Sequence, residues 1–154
     1  IVDNQLTNKP IVSLLDQDGV SPIPENAWEA IEIIRTAILD FVSQDKKSDY
    51  VLTKKLCGFE QNILIYNQVQ KAAEKRGSLF IPVKLILSQG ERKKRIKSPE
   101  RRIRFKTTVF DDCNSTKTFL KIEHPNLLEI NVTNFRPKQV KQVILKFIKS
   151  KLDV

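Results

Sequence analysis

Apolar residues recur at helical spacing in three stretches of the chain and crowd into short runs between them. Trp28, Ile31, Ile34, Ile38 and Phe41 or Val42 follow a period near that of a helix. Pro24 and Glu25 suit its first turn and Asp45–Asp49 its end, so an amphipathic helix is predicted there. A second helix is expected over residues 60–76, with Ile65, Val69, Ala72 and Ala73 inward, Lys75 and Arg76 in the last turn and Gly77 just beyond it. The third, Pro137–Leu152, places Val140, Val143, Ile144, Phe147 and Ile148 inside and Lys138, Lys141, Lys146, Lys149 and Lys151 outside.

The runs between them read as strands. Tyr50–Thr53 and Leu127–Val132 are short candidates, with a turn or loop over Lys54–Gly58. Leu79–Leu87 is almost continuously apolar, as a strand covered on both faces should be, although Pro82 argues against a central place. Residues 4–24 read as irregular, and only Ile11–Leu15 is apolar enough for a short helix or turn. The alternation of helices and strands predicts an α/β protein: three layers, a parallel sheet with helices on both faces. In such sheets ligands lie beyond the carboxyl ends of the strands.

A length of 154 residues, 40% of them hydrophobic and 29% charged, fits one folded domain and excludes wholesale disorder. No apolar run approaches the roughly 20 residues of a membrane-spanning helix, and no signal-peptide pattern opens the chain. Cys57 and Cys113 stand apart from each other and from any zinc-site spacing, which leads to the expectation of a reducing, cytoplasmic setting. His124, followed by Pro125, is expected to be a structural turn residue.

Charge changes the picture most. The net charge is +9, and residues 91–106, ERKKRIKSPERRIRFK, hold nine basic residues against Glu91 and Glu100. A nearly neutral body thus carries one strongly cationic segment, rich in arginine, whose planar fork matches phosphate oxygens. The segment follows the Leu79–Leu87 strand and is expected to form two short helical pieces divided at Ser98-Pro99.

Several stretches together resemble the P-loop small-molecule kinases, the relatives of shikimate kinase, adenylate kinase and chloramphenicol phosphotransferase. They are VDNQLTNKPI at 2–11, the DG...PIPENAW run at 18–28, KAAEKRGSLFIPVKLIL at 71–87, RIKSPERRIRFK at 95–106 and HPNLLEINVTNFRPKQV at 124–140. The resemblance implies one P-loop kinase-like domain over 1–154 with a basic lid over 91–112. It implies an ATP-dependent phosphotransferase, with Mg2+, acting on a small hydroxylated molecule. Arg101 and Arg102 would stabilise the phosphoryl group in flight, Arg95 and Lys106 would contact phosphate, and Asn134 and Arg136 would lie beside the adenine. Asp3 would bind or deprotonate the acceptor hydroxyl, with Asn4 next to it. An arginine-rich flap is a part that phosphoryl transfer requires, because that chemistry relies on positioning and cationic stabilisation.

The four glycines, Gly19, Gly58, Gly77 and Gly90, precede Val, Phe, Ser and Glu, so Gly-Lys-Ser/Thr does not occur. Two expectations follow. Either a strand, phosphate loop and helix precede Ile1 and supply the sheet's central strand, which the absence of methionine favours, or the chain binds nucleotide without turnover. A reading of another class is a nucleic-acid-binding module using 91–106, whose affinity would fall steeply with salt.

Overall fold

The computed structural model describes residues 1–15, 23–55, 60–99 and 120–153. Among them it is a mixed α/β protein. The elements are β1 (Val2–Asp3), α1 (Asn4–Val12), α2 (Glu25–Gln44), β2 (Leu52–Thr53), α3 (Glu60–Arg76), β3 (Val83–Ile86), α4 (Gln89–Ile96), β4 (Leu128–Asn131) and α5 (Pro137–Leu152). Contacts divide the chain into two compact units, Ile1–Leu79 with Cys113–Leu120 and Phe80–Asp112 with Lys121–Val154. The strands form two parallel pairs, β1 with β2 and β3 with β4.

In the first unit, Val2 pairs with Leu52 and Asp3 with Thr53. The expected irregularity after residue 4 is corrected, because α1 begins there. The Asp3 carboxylate accepts the Leu6 backbone N–H at 3.2 Å, satisfying one of the donors that a helix start leaves unpaired. Pro10 lacks the N–H that would continue the ladder, and the helix gives way to turns after Val12, with Ser13 N–H on Lys9 O and Leu14 N–H on Ile11 O.

Helix α2 packs between α1 and α3. Its buried stripe is Ala27, Ile31, Arg35, Leu39 and Val42, with Ile31 fully buried. Of the expected inward residues, Ile31 and Val42 are buried, Val42 and not its alternative Phe41, which is 65% exposed; Trp28 is 45% exposed. The helix is apolar on more than one side, so periodicity left its rotation open, and packing against two helices turned the Ala27–Ile31–Leu39 side inward.

Helix α3 ends as its sequence predicts. Gly77 takes φ +70, Ser78 N–H reaches Ala73 O at 3.0 Å and Gly77 N–H reaches Glu74 O at 2.9 Å, the paired bonds of a Schellman ending. A polar staple ties this end to the segment after α2. Lys46 Nζ donates to Arg76 O at 2.6 Å, the Arg76 guanidinium donates to Ser48 O and lies 5.0 Å over the Tyr50 ring, and the Tyr50 hydroxyl donates to the Asp45 carboxylate at 2.6 Å. Hydrogen bonds from Ser48, Tyr50 and the Lys47 N–H hold the Asp45 carboxyl well below the usual carboxylate range. Donating to that carboxylate raises the pKa of the Tyr50 hydroxyl.

In the second unit β3 and β4 run parallel from Val83↔Leu128 to Ile86↔Asn131. The strand expected over Leu79–Leu87 is shorter, starting after Pro82. Pro82 contributes its carbonyl to Leu128 N–H at 2.9 Å, a bond that needs no donor from the ring. Lys84 and Glu129 are cross-strand partners and form an ion pair at 2.6 Å. Leu85 and Ile86, expected to be covered, are 55% and 40% exposed, whereas Ile130 is buried. Helix α5 has the predicted bounds, but its apolar stripe is only half-buried and Val143 is exposed. His124 is structural as expected: its Nδ1 accepts the Asn126 N–H at 3.1 Å and its ring meets Phe80 edge to face. Among the described residues no helix is long and apolar enough to cross a membrane.

Candidate functional site

Parallel pairing brings the carboxyl ends of both strands of a pair to one edge, and each unit gathers its polar side chains there. In the first unit, Asp3 ends β1 and Thr53 ends β2, directly across the ladder. Beside them lies a cavity of about 50 Å3 lined by Asp3, Thr7, Arg35, Thr53 and Lys54 and floored by apolar side chains including Ile38, Leu39, Ile65 and Val69. Thr7 reaches it from the first turns of α1 and is buried.

Arg35 comes from the core stripe of α2, and its side chain is only 10% exposed. It is ion-paired with Glu32 one turn earlier, and the other Glu32 oxygen accepts from Gln68 Nε2 on α3 at 3.0 Å. Lys54 follows β2 directly. Burial is the main cause that lowers its pKa, the Arg35 charge adds to the lowering and Glu32 opposes it. Among the described residues Lys54 makes no ion pair within 4 Å. The sequence reading passed over both cations. Arg35 carried one signal: it is the arginine in an otherwise apolar four-residue series, Ala27, Ile31, Arg35, Leu39. Lys54 carried none, being one of two lysines in an expected turn.

Asp3, a predicted catalytic residue, therefore sits at the strand's carboxyl end and caps α1 while lining the cavity. Asn4, its predicted neighbour in substrate binding, is the first residue of α1.

In the second unit, Ser88 follows β3 and starts α4, its hydroxyl accepting Glu91 N–H at 3.3 Å. Ser88 N–H donates to Thr133 Oγ1 at 2.9 Å, and Thr133 N–H donates to Asn131 Oδ1 at 3.1 Å. The entry to the basic segment and the loop after β4 are thus tied together at one edge, as their shared place after parallel strands requires. Asn134 and Arg136 lie in that loop and are exposed, and Arg136 N–H donates to Gln139 Oε1 where α5 begins. Arg95 is in the last turn of α4, its Nε donating to Glu91 at 2.8 Å, which lowers the Glu91 carboxyl. Ser98 and Pro99 follow α4, and the second helical piece expected beyond them lies outside the described residues. So do Arg101, Arg102 and Lys106, and both cysteines.

Among the described residues no group of three or more His, Cys, Asp or Glu side chains could hold a metal ion. No protein-family model, curated protein or solved structure matches the chain.

Proposed function

We propose that the protein is a nucleotide-dependent phosphotransferase of P-loop kinase-like architecture, with ATP as phosphoryl donor and a small hydroxylated acceptor. The observation that carries the reading is the presence of two parallel strand pairs, each with polar side chains and a helix start at its carboxyl end.

In this scheme the basic segment from Arg92 onward surrounds the nucleotide phosphates, with Arg95 and Lys106 as contacts and Arg101 and Arg102 stabilising the transferred group. Asn134 and Arg136 flank the base. Asp3 holds or deprotonates the acceptor hydroxyl, and Asn4 assists. Among the described residues no three His, Cys, Asp or Glu side chains gather at one point, and no step is assigned to magnesium.

The test is binding of a fluorescent ATP analogue to the purified protein. Arg101→Ala and Arg102→Ala are expected to weaken binding or turnover about tenfold or more with unchanged thermal stability; wild-type behaviour in both variants would remove the lid assignment. A nucleic-acid role is favoured by one further observation, the exposed Lys138, Lys141, Lys146 and Lys149 of α5, which belongs to the same unit as the basic α4. Under that reading duplex or single-stranded probes bind with a steep salt dependence and are not displaced by ATP.

A further inference from the structure

We infer that the Thr133 hydroxyl is a positioning group: it fixes the start of the basic helix α4 against the loop after β4, so that one ligand can meet both. The inference rests on the proposed function, since the ligand that spans α4 and this loop is the nucleotide.

The backbone amide of Ser88 carries it. Ser88 caps the start of α4, its hydroxyl accepting Glu91 N–H at 3.3 Å and its carbonyl Arg92 N–H at 2.9 Å. Ser-Gln-Gly-Glu over 88–91 is the sequence of a capping box, in which the glutamate reaches back to the serine N–H. Here Glu91 is paired with Arg95 instead, and the serine N–H donates to Thr133 Oγ1 at 2.9 Å. A donor that the helix could satisfy from its own first turn is thus satisfied from a loop 45 residues further along the chain.

Thr133 is itself held. Val132 before it is buried, Thr133 N–H donates to Asn131 Oδ1 at 3.1 Å, and Phe135 N–H closes the turn on Val132 O at 3.2 Å. Asn134 follows Thr133 in that turn, and Arg136 ends the same loop. One hydroxyl therefore connects the helix that bears Arg95 to the turn that bears Asn134. A ligand with its phosphates at the first and its base at the second gains from both only while their spacing is kept.

Loss of the hydroxyl does not strand the amide, because Glu91 can turn from Arg95 to Ser88 N–H and complete the capping box. Thr133→Val therefore removes the connection and keeps the helix start.

The experiment titrates wild type, Thr133→Val and Thr133→Ser with a fluorescent ATP analogue and, by calorimetry, with inorganic triphosphate, which has no base. Thr133→Val is expected to bind the analogue about tenfold more weakly, and triphosphate no more weakly than wild type. Thr133→Ser, which keeps the acceptor, should bring analogue binding back to within about twofold, and Thr36→Val, on the exposed side of α2, should leave it there. Analogue binding unchanged in Thr133→Val, loss of both probes alike, or no rescue by serine would overturn the inference and leave the phosphotransferase reading standing. Absence of saturable analogue binding by the wild type would remove that reading, and the positioning role with it.

Discussion

The rotation of α2 decides whether Arg35 faces the cavity, and one pair of truncations tests it. Ile31 lies one turn before Arg35 on the buried stripe and is 0% exposed, whereas Phe41, on the other side, is 65% exposed. Ile31→Ala removes three carbons at ~0.8 kcal/mol each and leaves a cavity between α1, α2 and α3, for a loss of about 3–4 kcal/mol. Phe41 keeps about a third of its ring covered, so Phe41→Ala should cost about 0.5–1 kcal/mol despite deleting more atoms. Urea unfolding followed by circular dichroism reads both. With a slope of about 2 kcal/mol per molar, the midpoint should fall by ~1.5–2 M for the first variant and by less than ~0.5 M for the second. The reverse order would mean that α2 is turned the other way, with Arg35 outside the cavity.

Other expectations concern single groups. The Asp45 carboxyl is depressed in the folded state, so the unfolded chain binds the proton more readily at low pH. Its stabilisation is present above about pH 4 and is lost as pH falls below that, and Asp45→Asn should flatten this acid limb in thermal melts recorded from pH 6 to 2. Lys54 has the opposite sign of cost. Its folded-state pKa lies below the unfolded value near 10.4, so the unfolded chain holds more protons in that window and stability rises with pH through it. The difference between wild type and Lys54→Gln should therefore shrink toward pH 10, and Lys54→Gln should be as stable as wild type or more so at pH 7; a clear destabilisation at pH 7 would contradict the desolvated environment. Gly77→Ala meets no neighbouring atom but must adopt φ +70, so a loss of ~1 kcal/mol in urea unfolding is expected from backbone conformation alone.

Local signals in the sequence carried the long helices well. Gly77 after Lys75-Arg76 marks the end of α3, and Pro137 ahead of a lysine-and-valine period marks α5, because caps and periodicity are decided within a few residues. Helix α1 was hidden because Pro10 reads as a breaker, while the bond that starts the helix comes from a carboxylate, Asp3, before it. Trp28 misled, and the choice between Phe41 and Val42 stayed open, because size and apolarity say nothing about which of two apolar faces two neighbouring helices will cover. At the candidate sites, the order of elements foretold that the basic segment leaves the carboxyl end of a strand, as α4 does after β3, whereas Asp3, Asn134 and Arg136 came from the resemblance and β1 itself, two residues long, left no pattern to read. Arg35 and Lys54 were not legible, since their meeting depends on packing between a helix and a strand seventeen residues later in the chain.

We propose above that a nucleotide binds at the carboxyl end of β3 and β4, where α4 and the loop after β4 begin. Photo-crosslinking with azido-ATP followed by mass-spectrometric mapping tests it directly. The account predicts label in peptides covering 91–106 and 133–136, suppressed by excess ATP and not by equimolar phosphate. Label absent from both peptides, or displaced by nucleic acid and not by ATP, would contradict it.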